Sequence, residues 1–396
     1  MHSPLHRGRL LCVLLAAVPV LACADAGTGP EFKPDPANAA AAPQTRTYYI
    51  AADEVLWHYT APGATTDQIS GMTFEEHPDA GVFVVGNGTD RIGAAYYKYL
   101  YREYTDGSFT TLKASVDPGY AARWAHLGNV GPVIQAQVGD TIKVIFRNNT
   151  NQPVSVHPHG VFYDKNSEGA PYCDRDGVCT AGPDDAVEPG ATVVYTWPVP
   201  QRAGPGPADG SSILWMYHSH TDEVKDTNAG LVGPMIITKR GMLRQDGRPT
   251  DVDREFVLVF TVTDENESWL LDRNISEFAP HAVSDADDDE FGESNLMHSI
   301  NGWVYGYQPL SSVTMAVGED VRWYLMAVGT EVDLHTPHFH GQTGLFAGMR
   351  TDIIELLPAS MKVFDMEPDN SGTWLLHCHV NDHIKAGMIT RFQVEP

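Results

Sequence analysis

The sequence predicts an all-β protein of two sandwich domains, and three observations carry that reading. Helical periodicity sustained over many turns is scarce along the 396 residues. In its place stand short runs rich in β-branched and aromatic residues, such as "GPVIQAQVGDTIKVIFRN", "ATVVYTWPVP", "DREFVLVFTV" and "VRWYLMAV", bounded by Gly, Pro and Asn. Runs of this length and composition are strands, and their spacing is that of β-sandwiches. The chain also repeats itself in order. "VGDTIKVIF" from Val138 matches "VGEDVRWYL" from Val317, and "HPHG" from His157 matches "HFHG" from His338. "LWMYHSH" ending at His220 matches "TWLLHCH" ending at His379, and "GLVGPMIIT" from Gly230 parallels "KAGMITRF" from Lys385. One match could be chance; four in the same order indicate two copies of one domain.

At the N-terminus, Arg7 and Arg9 precede an apolar run from Leu10 to Ala22 that is too short to span a bilayer, so residues 1–23 read as an export leader. Two cleavage readings overlap there. "ACA" (Ala22 to Ala24) is an A-x-A-like site, whereas "VLAC" resembles a bacterial lipoprotein box with Cys23 as the lipidated residue, and Leu21 fits that box imperfectly. Residues 24–45, rich in Ala, Pro and Gly, follow as a flexible tether. This organisation predicts export to a periplasmic or extracellular space, with a lipid anchor at Cys23 under the second reading. The first sandwich is expected over residues 46–240 and the second over 241–396, joined near Lys239 to Arg254.

With 42% hydrophobic and 19% charged residues the chain has an ordinary globular composition. Its 26 Lys+Arg against 51 Asp+Glu leave a net charge of -25, which argues against nucleic acid and anionic membrane surfaces as partners. Such a charge concentrates cations near the surface; it equally suits a self-repelling exported protein with no cationic substrate.

Cysteine usage narrows the choice. Cys12 and Cys23 belong to the leader, and Cys173 and Cys179, six apart in "YCDRDGVCT", are expected to pair in an oxidising compartment. Cys378 is left alone, as an inert buried thiol, a nucleophile or a metal ligand. Its neighbours in "WLLHCHVNDHIKAGM" decide the matter. Because a strand sends alternate side chains to opposite faces, His377 and His379 point one way and Cys378 the other. By the same parity His338 and His340 in "HTPHFH" share a face, with His335 on the other if the segment stays extended. One set therefore gathers Cys378, His335, His383 and Met388. Two imidazoles, a thiolate and a thioether make a blue copper donor set, with Met as the weak axial ligand, whereas zinc has little use for methionine. The other set holds four His-x-His pairs, His157/His159, His218/His220, His338/His340 and His377/His379. Eight imidazoles exceed what one ion can use, so a multinuclear cluster is expected.

On these motifs the chain resembles the multicopper oxidases, in which a blue copper passes electrons through a Cys flanked by two His to a trinuclear cluster that reduces O2 to water. The resemblance implies cupredoxin-like Greek-key domains and four coppers per subunit. His335, Cys378, His383 and Met388 would hold the type 1 copper, and His157 and His338 the type 2 copper. His159, His218 and His379 would hold one type 3 copper, and His220, His340 and His377 the other. The first domain departs from the pattern at its own blue site, with Ser219 for the cysteine and Val154 and Val224 for the two histidines. Because each domain supplies half of the cluster ligands, the resemblance to two-domain oxidases implies a homotrimer with clusters at its subunit interfaces, closed head to tail.

Further segments, among them "YYIAADEVLWHYTAPG", "HLGNVGPVIQAQVGDTI", "DENESWLLDRNI" and "ESNLMHSINGW", resemble ceruloplasmin and hephaestin, animal ferroxidases, from about Tyr48 onwards. That likeness implies ferrous iron as electron donor, bound by Glu293, His298 and Asp382, with Glu331 from the adjacent subunit; Asp382 would link the iron to Cys378 and its flanking His377 and His379. Hard oxygen ligands with an imidazole suit iron. Glu293 can equally be a solvated acid of the run "DADDDEFGES", and Glu331 and Asp382 can be partners that orient copper-bound histidines. Competing functions are a laccase-like oxidase of phenols, amines or another small reducing substrate, a nitrite reductase (which would not need eight cluster histidines), a cuprous oxidase, and a copper-free binding module like coagulation-factor A domains.

Overall fold

A computed structural model of the chain describes residues 42–282, 289–330 and 333–396. Among them strands dominate, and the longest helix, Leu271–Phe278, has eight residues. No described helix is long and apolar enough to cross a membrane.

Ten strands form the first half: β1 (Thr45–His58), β2 (Ala95–Tyr104), β3 (Ile134–Gln137), β4 (Thr141–Asn148), β5 (His157–Pro158), β6 (Tyr172–Cys173), β7 (Cys179–Thr180), β8 (Thr192–Pro198), β9 (Ser212–His218) and β10 (Val232–Thr238). Ten more form the second: β11 (Arg254–Asp264), β12 (Leu296–Ile300), β13 (Thr314–Ala316), β14 (Val321–Ala327), β15 (Pro337–Phe339), β16 (Gly344–Phe346), β17 (Met349–Thr351), β18 (Met361–Met366), β19 (Gly372–Cys378) and β20 (Ile389–Glu395). In the first half the sheets run β2-β1-β4-β8 and β3-β10-β9-β5; in the second they run β12-β11-β14-β18-β16-β17 and β13-β20-β19-β15. The order and direction of pairing repeat, with β1–β4 and β11–β14 parallel and β9–β10 and β19–β20 antiparallel. The sequence repeat is thus a repeat of strand register.

Alternation in β4, where every second residue is buried, turns Ile142, Val144 and Phe146 into a core shared with Ile134, Met235 and Trp197. In the second half Leu258, Trp323, Phe339, Phe364, Leu376 and Phe392 make the equivalent core. Strands β10 and β14 are buried at every position. Their second faces explain this. Leu214, Met216 and Ile236 of the first half pack on Val257, Val259, Tyr324 and Met326 of the second, so sheets that would meet water in an isolated sandwich meet each other.

Between β1 and β2 the chain makes a long excursion over residues 59–94 that leaves the first sandwich and packs on the second. Phe74, Ala80, Phe83, Val84 and Ile92 share one apolar cluster with Met297, Val304, Tyr305 and Ala386. The excursion closes where Gly93, at φ 83°, meets Gly86, because a Cβ on Gly93 would lie 2.4 Å from the Gly86 nitrogen.

A buried ion pair also joins the halves. Lys98 on β2 donates to Glu265 Oε1 and to the Asn228 carbonyl (2.8 Å), and the Tyr59 hydroxyl donates to the same carboxylate at 2.6 Å. Both charges are fully buried. Burial pushes the Lys98 pKa down and the Glu265 pKa up, and the chief opposing influence on each is the charge of the other. Glu265→Gln should leave Lys98 buried and unpaired and lower stability by about 3–5 kcal/mol, read in thermal denaturation. The double variant Lys98→Met with Glu265→Leu should recover most of that loss.

Candidate metal centre

Successive residues of β19 feed two different clusters. Cys378 Sγ lies 3.6 Å from His383 Nδ1 and 3.9 Å from His335 Nδ1, and the two ring nitrogens are 3.2 Å apart. All three side chains are buried. His335 comes from the segment before β15, Cys378 ends β19, and His383 sits on the short helix Asn381–Lys385 that follows. Met388 is fully buried in the same core, and its backbone accepts from the Cys378 amide and donates to the His383 carbonyl. The geometry therefore brings together the ligand atoms of three of the residues expected around a type 1 copper, His335, Cys378 and His383, and the backbone ties Met388 to two of them.

The electrostatics favour a soft anionic donor. Burial pushes the Cys378 thiol up, but His335, His383 and the Thr336 amide, 3.4 Å from the sulfur, pull it down to about 6. Burial likewise lowers His335, but Asp333 and Cys378 outweigh it and the net shift is upward. Asp333 Oδ1 lies 3.4 Å from His335 Nε2 as a close charge rather than a directed hydrogen bond. That oxygen already accepts from the Val262 amide at 2.6 Å, and Nε2 keeps no bonded partner.

His377, one residue before Cys378, belongs to the second cluster. Antiparallel pairing of β15 with β19 sets His338 opposite His377, and ligand atoms of His338, His340 and His377 lie within 4.8 Å of one another. His340 Nε2 is 2.9 Å from His377 Nε2, and the exposed His379 ring lies 5.4 Å from that of His377. The first half has the same arrangement: β5 sets His157 opposite His218, His159 Nε2 is 3.1 Å from His218 Nε2, and the His220 ring is 5.2 Å from that of His157. In both halves a backbone carbonyl receives the Nδ1 of the strand histidine, Ser219 for His218 (3.0 Å) and Cys378 for His377 (2.8 Å), which leaves Nε2 as a bare lone pair facing another imidazole. Burial lowers His159 to about 4 and His218 to about 3, and shifts His157, His340 and His377 downward. Imidazoles crowded nitrogen to nitrogen, with His338 Nδ1 buried and unpartnered, are donors that a cation would satisfy. Among the described residues no ring contact links the tetrad of the first half to that of the second.

In the first half the position of the first cluster is filled. Ser219 donates to Asp226 at 2.6 Å, Asp226 accepts from Trp269 at 2.9 Å, and Val154 is fully buried beside them. The Ser219 amide bonds the Leu231 carbonyl as the Cys378 amide bonds that of Met388, so Leu231 stands in the methionine position. Val224 is exposed on the helix Glu223–Ala229. None of the four positions offers a copper ligand.

Of the residues expected to hold iron, His298 on β12 is buried with its ring 5.2 Å from that of His383. Its Nδ1 donates to the Leu296 carbonyl at 3.0 Å, which frees Nε2. Asp382 is exposed in the first turn of the helix that carries His383, and Glu293 is exposed on the helix Asp289–Ser294. Glu331, like Cys23 in the leader, lies outside the described residues. Cys173 and Cys179 are disulfide-bonded across the β6–β7 hairpin. Sequence reading missed Asp333, though parity in "VDLH" sets it two residues from His335 on the same side, and Phe83, for which no local pattern speaks.

A multicopper oxidase family model matches residues 125–241, and a second multicopper oxidase model matches residues 281–396. The chain belongs to the multicopper oxidases. Copper is therefore the metal to set against the donors described above, and thiolate, thioether and imidazole fit it. This multicopper oxidase is 44% identical to mouse "Ferroxidase HEPHL1" over 356 residues, 40% to human hephaestin over 357 and 43% to human ceruloplasmin over 354. Those alignments cover 88% of the chain but only 29%, 28% and 32% of the respective relatives, so the chain spans less than a third of their length. Among solved structures, one described as "Crystal structure of multicopper oxidase" matches at TM-score 0.52 and 17% identity, covering 89% of this chain and 88% of that one. At that identity the match speaks for the fold alone, an all-β pair of cupredoxin-like domains.

Proposed function

We propose that the chain is a ferroxidase, coupling oxidation of Fe(II) to Fe(III) at a type 1 copper to four-electron reduction of O2 to water at a trinuclear cluster. Copper supplies the one-electron redox chemistry at both sites. The observation that carries the reading is the split along β19, where Cys378 faces one donor cluster and His377 the other. The backbone and side chains of three consecutive residues, His377, Cys378 and His379, then form the path between oxidations and O2. Four coppers per subunit are assigned: type 1 at His335, Cys378, His383 and Met388; type 2 at His157 and His338; type 3 at His159, His218 and His379, and at His220, His340 and His377.

Iron is favoured over a phenol or amine because both type 1 imidazoles are buried and the outer one, His383, faces the His298 ring rather than solvent. The names of the relatives point the same way. Glu293, His298 and Asp382, with Glu331 from a neighbouring subunit, are proposed to bind the ferrous ion; carboxylates favour the ferric product. Copper-loaded protein should consume O2 with Fe(II) as donor. Glu293→Ala and Asp382→Ala should each lower that rate about a hundredfold, with the blue absorption unchanged. A faster rate on a bulky phenol than on iron would return the reading to a laccase-like oxidase.

We also propose a homotrimer in which the first-half tetrad of one subunit meets the second-half tetrad of the next. Exposed Phe162 and Tyr163 follow the first His pair, and exposed Leu345 and Met349 lie on the hairpin leading to Asp352, whose Oδ2 is 3.6 Å from His338 Nε2. Those rims suit burial between copies. Residues 1–23 are read as an export leader, with Cys23 as its alternative lipid anchor, and residues 24–45 as a tether, ahead of domains at 46–240 and 241–396.

A further inference from the structure

We propose that Phe83, contributed by the first half of the chain, determines which electron donors this site accepts, admitting a small metal cation and shutting out aromatic organic donors. The inference rests on the iron-oxidising reading and deepens it. His335, His383 and His298 form a file of imidazoles, with ring centroids 4.9 Å and then 5.2 Å apart. Phe83 closes the file, its ring edge-on to His298 at 5.5 Å. None of these four side chains exposes more than 7% of its surface.

The burial has a consequence for donor size. An aromatic donor delivers its electron by laying its ring against a ligand of the copper. Here the ring that covers His383 is His298, and the ring beside His298 is Phe83, so a phenol must first displace Phe83. That displacement is resisted on several sides. Phe83 lies in the helix Ala80–Val84, which packs against the helix Asp289–Ser294, and it belongs to the apolar cluster of Phe74, Met297, Tyr305 and Ala386. The Tyr305 hydroxyl in turn donates to the Lys385 carbonyl at 3.0 Å, at the end of the helix that carries His383 and Asp382. A metal cation needs no such opening. It exchanges water for the exposed carboxylates of Asp382 and Glu293 and for the Nε2 lone pair of the buried His298, and the electron then travels through the imidazole file.

Phe83 meets the imidazole file through its ring contact with His298 and is a positioning residue. The test compares kcat/KM for Fe(II) and for a methoxy-substituted phenol in the full copper-loaded chain, in wild type, Phe83→Ala and Phe83→Leu, with blue absorption per chain as the measure of an intact type 1 site. In Phe83→Ala the phenol-to-iron ratio should rise about tenfold or more, through a faster phenol reaction and a slower iron one. Phe83→Leu, which keeps most of the apolar contact, should give a smaller rise. A ratio unchanged in both variants with the blue absorption retained overturns the proposal. Equal losses on both donors together with loss of the blue absorption also overturn it, since Phe83 would then be only a packing residue. Wild type that oxidises the phenol but not iron overturns the iron reading itself, and the selectivity proposal falls with it.

Discussion

Cys378→Ser should remove the blue absorption and lower O2 consumption with any donor by about a thousandfold or more, while the folded state persists. The substitution is nearly isosteric at a fully buried position, so packing around Leu376 and Met388 is kept. What changes is the donor. The thiol of Cys378 is held near pKa 6 by His335, His383 and the Thr336 amide, and is ready to become a soft anionic ligand. A serine hydroxyl in the same place stays protonated and hard. The protein already contains this substitution at the equivalent place in its first half, where Ser219 gives its proton to Asp226 in a hydrogen bond and the neighbouring ligand positions are Val154 and Leu231. Metal analysis should therefore find one copper fewer per chain in Cys378→Ser, with the copper of the histidine cluster retained. A blue protein after this substitution would sink the type 1 assignment.

The split of ligands between the two clusters was legible in the sequence because strand parity is a strong constraint. In β19 it assigns His377 and Cys378 to different faces without any knowledge of the fold, and the structure places them in different clusters. The likeness of the two halves was legible as a repeat of motifs, and the structure shows that the repeat extends to register, with His157 opposite His218 as His338 is opposite His377. Other features had no local signal. The fully buried strands β10 and β14 show no alternation, so the sequence marks them as buried without saying that their second faces meet each other. The excursion of residues 59–94 carries no metal ligand pattern and lies outside the repeated motifs. Its position against His298 is fixed by long-range apolar contacts of Phe83 and Tyr305, which no short window of sequence encodes.

Mixing two inactive variants should restore activity, and the extent of recovery distinguishes shared clusters from private ones. His159→Ala removes a ligand of the first-half tetrad, and His340→Ala removes one of the second-half tetrad. Each variant alone should lose O2 reduction, because the proposed trinuclear cluster draws on both tetrads and the two are not in ring contact within one chain among the described residues. In a head-to-tail ring, each cluster draws one tetrad from one subunit and the other from its neighbour. Co-assembled at equal amounts, an interface is intact when an unaltered first half meets an unaltered second half, which occurs at about a quarter of interfaces by random association. The type 1 donors and the β19 path stay within the chain that supplies the intact second half, so a restored interface has everything needed to pass electrons from donor to O2. About a quarter of wild-type O2 consumption is expected from the mixed trimers, with a mass in light scattering of three chains. Were the cluster built within a single chain, each molecule of the mixture would carry one damaged tetrad and the mixture would stay inactive at any ratio. The recovered fraction therefore reports the symmetry of the site as well as its chemistry.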